Sequence, residues 1–295
     1  MAEYELQDQI RVCAKELLAS GQVQCVIGYE EGSRGQVRPA FIREAGDVDR
    51  LVWNQGCTHN LVTYLHDKKQ EVGSGEHSHR VAIVVKPCDS RALNILLAEK
   101  QIEREHLYVI GVACAGVVDG AGFAGQCSDK LPVRCLRCSD RVPVVYDRLV
   151  GEPPQADSED DFVDIAELEA MSPAERLSFW LKQYERCILC YACRQVCPAC
   201  YCSICMFERD DSLWVGLAAG TKEKEVFHLG RAYHLAARCV GCDECERVCP
   251  MELPLSLLNR KLHKEVQALF HYRAGDKPTQ SPLATTLAEE EESPI

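Results

Sequence analysis

Nineteen cysteines dominate the chemistry available to this sequence, and eight of them form two runs with the same spacing. One run is Cys187-x2-Cys190-x2-Cys193-x3-Cys197, closed by Pro198. The other run, Cys239-x2-Cys242-x2-Cys245-x3-Cys249, is closed by Pro250. Thiolates at this spacing are typical ligands of 4Fe–4S clusters. Zinc also binds C-x2-C pairs, but two complete four-cysteine repeats favour a pair of 4Fe–4S clusters.

The fourth cysteine of each run is predicted to serve the cluster of the other run. After three closely spaced ligands the chain enters a helix, which carries the fourth thiol away from its own loop. The expected first set is Cys187, Cys190, Cys193 and Cys249. The expected second set is Cys239, Cys242, Cys245 and Cys197.

Three more cysteines, Cys200, Cys202 and Cys205, directly follow the first run. Two interpretations stay open for them. They are either ligands of a further cluster or metal, or thiols packed beside the two clusters.

A third 4Fe–4S site is predicted nearer the N-terminus. Residues 81–85 and 107–112 read as buried strands joined by a helix over 91–100, which predicts a parallel pair. Cys88 and Cys114 then follow the carboxyl ends of these strands, the edge at which open α/β sheets bind ligands. Cys135-x2-Cys138 completes a four-thiolate set. Cys57 and Cys127 are alternative ligands, whereas Cys13 and Cys25 lie where core residues are expected.

The other elements must position these thiols. A helix is predicted over 4–19, strands over 23–28 and 37–43, and a second helical stretch from 47 to 65. Residues 1–150 are therefore expected to form an α/β domain with a largely parallel sheet. Residues 151–161, rich in proline and acid, are interpreted as a linker. Ser172, Pro173 and Glu175 form a capping box that begins a helix.

Residues 162–273 are expected to form a mostly α-helical, ferredoxin-like dicluster domain, and 274–295 a flexible acidic tail. The net charge of −12 disfavours partners such as nucleic acid or an anionic membrane surface. The N-terminus lacks the pattern of a signal peptide, and no apolar run is long enough for membrane insertion. We therefore expect a cytoplasmic protein. Gly120, Gly122 and Gly125 match GxGxxG only formally, and a loop is expected there.

Two resemblances to known families follow from these segments. KPCDSRALNILL, IGVACAGVVD and CLRCSDRVPVVYD resemble the β-subunit family of deazaflavin-reducing hydrogenases and dehydrogenases. RCILCYACRQVCPACYC and RAYHLAARCVGCDECERVCP resemble the dicluster module of heterodisulfide reductase C-type subunits. The resemblance implies a cytoplasmic, anaerobic complex of several subunits, often with flavin on the N-terminal domain.

The leading functional hypothesis is a subunit that relays single electrons through its clusters. Its expected partners are other subunits of a redox complex, of the flavoprotein, hydrogenase, formate dehydrogenase or heterodisulfide-reductase kind, and a ferredoxin. The alternative is a FAD-containing subunit that exchanges hydride with a deazaflavin or nicotinamide and passes electrons to its clusters.

Overall fold

The computed structural model describes residues 3–65, 80–118, 130–155, 160–209 and 219–283. The chain divides into two units. Unit 1 comprises Met1–Asp160 together with Gly275–Thr279, and unit 2 comprises Asp161–Ala274 together with Gln280–Ile295.

A five-stranded sheet organises unit 1. Its strands are β1 (Cys25–Glu31), β2 (Val37–Ile42), β3 (Val81–Val85), β4 (Leu107–Val112) and β5 (Arg148–Val150). The order is β2-β1-β3-β4-β5, with β1 and β2 antiparallel and the other neighbours parallel. The predicted α/β unit with a largely parallel sheet is therefore confirmed.

The centre of the sheet brings the cysteine-bearing segments to one edge. All five residues of β3 are buried, as expected for a β-branched strand covered on both faces. Helices α1 (Glu3–Ala19) and α2 (Pro87–Ala98) both pack on β3. Val85 pairs with Gly111, so β3 and β4 end side by side. Cys88 and Cys114 follow these two strand ends.

The helix predicted over 47–65 is wrong. This stretch instead contains two short 3₁₀ turns, Ala45–Arg50 and Leu61–Thr63. The first turn ends because Leu51 adopts an extended conformation and bridges to Glu30 beside β1. The second begins where the Asn60 side chain accepts the backbone N–H of Val62. A tertiary contact and a local cap therefore outweigh the helical spacing of apolar residues.

Near its end the chain returns to unit 1. The Asn94 amide donates to the carbonyl of Gly275 at 2.9 Å, and Arg91 Nε lies 3.2 Å from Asp276 Oδ1. Gly275 has a φ of +79°, and a Cβ atom built on it would lie 2.2 Å from the Arg91 carbonyl oxygen. This close approach of two backbones requires glycine.

Helices alone form the regular structure in the described part of unit 2. They are α4 (Val163–Ala170), α5 (Pro173–Arg186), α6 (Ala192–Gln195), α7 (Thr221–His234), α8 (Glu244–Arg247) and α9 (Leu255–Phe270). The helix before them, α3 (Val133–Leu136), is a single turn of unit 1. The capping box of Ser172 and Glu175 begins α5, as predicted. Arg260 of α9 holds α4 through two hydrogen bonds to Asp164, at 2.6 and 2.7 Å.

Some sequence features lie outside the described residues. They are the GxGxxG match, Cys127 and the last acidic residues of the chain. Among the helices that are described, none combines the length and the hydrophobicity that a bilayer span requires.

Candidate metal centres

The two cysteine loops of unit 2 share a backbone conformation. Leu189 and Tyr191 have φ angles of 49° and 57°, and the equivalent Gly241 and Asp243 have 70° and 52°. Left-handed residues at matching positions turn backbone N–H groups towards the loop interior. The N–H of Leu189 donates to the Cys187 Sγ at 3.3 Å, and Gly241 donates in the same way to Cys239. Three of these four residues are not glycine, so each loop holds strained backbone beside its thiols.

The first group of thiols draws members from both runs. Cys187 and Cys193 are buried, whereas Cys190 is exposed. The pKa of Cys193 is raised to about 11 by burial and, to a smaller extent, by negative charge on Cys187, Cys249 and Cys190. The pKa of Cys187 is raised by burial and by the same neighbours Cys249 and Cys190. Cys249, the last cysteine of the second run, thus lies beside the first run.

The second group has the reciprocal composition. Burial raises the pKa of Cys239 to about 11 and raises those of Cys242 and Cys245 well above their usual range. In all three cases negative charge on Cys197 is one of the causes of the raised pKa. Cys197, the last cysteine of the first run, therefore lies among the thiols of the second.

A Zn–S bond of about 2.3 Å places tetrahedral sulfurs about 3.8 Å apart. Among the described residues, only Glu103, Glu105 and His106 place three candidate ligand atoms all within 4.8 Å of one another, so no three of these thiols are gathered that closely. In a 4Fe–4S cluster each thiolate binds a separate iron.

Buried polar groups around these thiols fit a negatively charged cluster. His228 Nε2 lies 3.2 Å from the Cys187 Sγ, and the Asn259 amide nitrogen lies 3.9 Å from the Cys245 Sγ. Burial and the positive charge of Arg231 lower the pKa of His228 to about 4, so the ring is neutral near pH 7. In its Nε2–H tautomer the ring donates to the thiolate. The N–H donors and cationic groups match what such a cluster requires.

The three cysteines after the first run have different surroundings. Cys200 is hydrogen-bonded to Cys197, and this bond is the main reason that the pKa of Cys197 falls to about 6. Cys202 is exposed, and its carbonyl accepts a hydrogen bond from Arg194 at 2.8 Å. Cys205 packs against the aromatic cluster that contains Phe207. Cys200 thus joins the second thiol group, whereas the cluster that Cys205 contacts also contains Cys187, Cys193 and Cys245.

In unit 1, three of the four predicted ligands are close enough for the charge of one to shift the pKa of another. The pKa of Cys114 is raised to about 11 by burial and, to a smaller extent, by negative charge on Cys135 and Cys138. Gly116 donates its N–H to the Cys114 Sγ at 3.3 Å, as Leu189 does in unit 2. Cys114, Cys135 and Cys138 are each half-buried.

Cys88 is connected to this group through a buried lysine. Lys86 is 2% exposed and forms an ion pair of 2.9 Å with Asp89. Its ammonium also donates to the Tyr29 hydroxyl and, at 2.8 Å, to the His59 carbonyl. The pKa of Lys86 is raised by negative charge on Asp89, Tyr29 and Cys88, and the lysine in turn lowers the pKa of Cys114.

The other cysteines in the described part of unit 1, Cys13, Cys25 and Cys57, are core residues. Cys57 is fully buried, with its thiol 3.8 Å from the Val52 carbonyl oxygen, which it faces as a donor. Cys13 and Cys25 are 1% and 6% exposed, as expected from the sequence. The contacts of Cys57 with Val52 and Asn54 are made within its own loop.

Sequence reasoning missed the cationic and imidazole groups that face the thiols. Lys86, His228 and Arg231 are all buried, although their residue types usually stay exposed. For Lys86, a usable signal was its position between a continuous apolar strand and the Pro-Cys-Asp turn. His228 and Arg231 are three residues apart on α7 and so share a helix face, but nothing local indicates what that face contacts.

The chain is similar to β-subunits of formate dehydrogenases from two methanogens. The chain is 21% identical to the F420-dependent formate dehydrogenase subunit beta of Methanocaldococcus jannaschii, over 83% of this chain and 85% of that protein. It is 24% identical to the F420-dependent formate dehydrogenase 1 subunit beta of Methanococcus maripaludis, over 88% of each. No family model matches the sequence. The chain is thus similar over most of its length to β-subunits of deazaflavin-linked formate dehydrogenases.

Proposed function

We propose that this chain is an iron–sulfur electron-transfer subunit that relays single electrons within an oxidoreductase complex. The proposal is supported by the position of the fourth cysteine of each run, which lies near the thiols of the other run. Negative charge on Cys249 raises the pKa of Cys187 and Cys193. Negative charge on Cys197 raises the pKa of Cys239, Cys242 and Cys245. Two ferredoxin-type 4Fe–4S clusters bound in one module require this reciprocal arrangement.

The ligand sets proposed for unit 2 are those expected from the spacing. They are Cys187, Cys190, Cys193 and Cys249 for one cluster, and Cys239, Cys242, Cys245 and Cys197 for the other. We infer that residues 162–273 form the dicluster domain, like that of heterodisulfide reductase C-type subunits. A third cluster is proposed in the domain of residues 1–150, held by Cys88, Cys114, Cys135 and Cys138.

When bound, the clusters would supply one-electron exchange at iron, which requires no general acid, base or nucleophile from the protein. The chain's own residues exclude water, hold the ligands and donate to sulfur. The N–H of Leu189, the N–H of Gly116 and the ring of His228 are such donors. Each donor stabilises negative charge on sulfur and so favours the reduced state.

The similar proteins provide the basis for proposing partners. Both are named as β-subunits of F420-dependent formate dehydrogenases. We infer that this chain also works beside other subunits, in a complex linked to a deazaflavin. The alternative of a FAD-containing subunit that exchanges hydride is tested by the same experiment, since it requires flavin on this chain.

The experiment is anaerobic purification of the full chain, followed by iron, acid-labile sulfide and flavin analysis and electron paramagnetic resonance. With four irons per cluster, we expect about eight irons for the dicluster domain and about twelve with the third site. The reduced protein should show interacting paramagnetic clusters. Chain that retains zinc in place of iron would refute the proposal, and stoichiometric flavin would favour the alternative.

A further inference from the structure

One arginine of α7 lies among the cysteines of both runs. Arg231 is 5% exposed, and its Nη2 donates to the carbonyl of Cys193 at 3.0 Å. Its guanidinium is also hydrogen-bonded to the thiols of Cys197 and Cys200. Cys193 belongs to the first proposed ligand set and Cys197 to the second. Arg231 therefore contacts a residue of each set.

The charge of Arg231 also acts on both sets. It lowers the pKa of Cys193 in the first set. In the second set it lowers those of Cys239 and Cys245 as well as that of Cys197. A guanidinium stays protonated at any physiological pH, so this positive charge is fixed.

Other buried arginines of unit 2 are balanced by carboxylates, but Arg231 is not. Arg194 pairs with Glu208 at 3.0 Å, and Arg260 pairs with Asp164 at 2.6 Å. Within the described residues, no carboxylate forms an ion pair with Arg231, and its Nε has no hydrogen-bond partner.

A buried charge without a counter-ion is strongly unfavourable, and so is a buried donor without an acceptor. Four thiolates bound to a cubane supply both missing features, because they carry net negative charge and the cluster sulfides accept hydrogen bonds. The surroundings of Arg231 are therefore those of a cation balanced by clusters rather than by a side chain.

We infer that Arg231 is a positioning residue whose single fixed charge is shared by the two clusters of unit 2 and raises the reduction potential of both. This inference rests on the proposed function. Each cluster takes up one electron from the redox partner, without a proton and without a bond being made or broken. Its negative charge grows by one, and a nearby cation stabilises that added charge. Because Arg231 contacts both ligand sets, removing its charge should shift both potentials in one direction.

The test compares Arg231→Met and Arg231→Lys in the full chain, reconstituted anaerobically. The measurement is a redox titration of each cluster followed by electron paramagnetic resonance, with iron counted in every sample. In Arg231→Met we expect both potentials to fall by the equivalent of tenfold or more in the electron-transfer equilibrium, which is about 59 mV for a one-electron couple. Arg231→Lys keeps the charge and should stay close to the unmodified protein.

Arg260→Met is the matched control, because it removes a buried arginine of the same unit that pairs with Asp164. It should leave both potentials unchanged. Potentials unaltered in Arg231→Met, or altered at one cluster only, would overturn the inference. If Arg231→Met loses its iron, Arg231→Lys decides: unmodified potentials support a role for the charge, and lowered potentials contradict it. Failure of the proposed function is distinguishable, since the unmodified chain would then bind no cluster.

Discussion

The imidazole of His228 lies 3.2 Å from the sulfur of Cys187 and is stacked on the ring of Tyr184. The two rings are 5.4 Å apart and almost parallel, with an interplanar angle of 8°. Tyr184 is stacked in turn on Trp180. The aromatic stack fixes the direction in which His228 presents its Nε2, because a rotated ring would lose both contacts.

Replacing His228 with phenylalanine should lower the potential of the Cys187 cluster. The substitution keeps an aromatic ring on Tyr184 but removes the N–H donor to sulfur. A hydrogen bond to a charged group contributes about 1.5–3 kcal/mol. The measurement is a redox titration by electron paramagnetic resonance. His234→Phe, at an exposed histidine of the same helix, serves as the control. Equal shifts in the two variants would argue against a specific N–H···S bond.

Replacing Cys197 with serine should damage the cluster of the second run and spare that of the first. The reason is that Cys197 lies near Cys239, Cys242 and Cys245, whose pKa values its negative charge raises. Iron content and electron paramagnetic resonance of the reduced protein provide the measurement. Cys200→Ser is the matched control, since its thiol is hydrogen-bonded to Cys197 but stands outside the proposed sets. Loss of the Cys187 cluster alone would contradict the crossed assignment.

Replacing Cys114 with serine should remove the third cluster and about four irons per chain. Burial raises the pKa of Cys114, and Gly116 donates its N–H to the Cys114 sulfur. Cys13→Ser provides the control, because that thiol lies in the core on α1. Iron analysis is the measurement. Unmodified protein with only about eight irons would refute a third cluster.

Replacing Lys86 with methionine should destabilise unit 1 by about 3–5 kcal/mol, because Asp89 would remain as a buried, unpaired charge. The Lys86 ammonium also satisfies the Tyr29 hydroxyl and the His59 carbonyl. Urea unfolding followed by hydrogen exchange of the β1 and β3 amides measures the effect. Adding Asp89→Asn should recover part of the loss. If Lys86→Met alone were as stable as the unmodified chain, the ion pair would contribute little to the free energy of unfolding.

Replacing Gly275 with alanine should destabilise unit 1 more than replacing Gly21 with alanine. Both glycines have positive φ angles, 79° and 70°, so both variants incur about 1–2 kcal/mol of backbone strain. Only at Gly275 would the added Cβ meet backbone, at 2.2 Å from the Arg91 oxygen, whereas Gly21 faces open space. Unfolding in urea should therefore separate the two variants. Equal decreases in the free energy of unfolding would mean that the segment at Gly275 is not packed tightly against Arg91.

The sequence by itself determined the features that rest on local spacing. The apolar run of β3 with the turn after it predicted the parallel α/β unit. The dicluster module indicated by the two cysteine runs stays a prediction. The capping box at Ser172 likewise predicted where α5 begins. Each of these depends on neighbours within a few residues, where spacing and hydrogen-bonding rules apply directly.

Tertiary structure alone decided what surrounds the thiols. His228 is 41 residues from Cys187, and Arg231 is 38 residues from Cys193, so no local pattern connects them. The same holds for Gly275, which lies 181 residues from Asn94. From the sequence alone, a histidine or arginine on a helix is expected to be exposed to solvent. Packing of α7 against the cysteine loops turns these two residues into groups that can set the potentials of the proposed clusters.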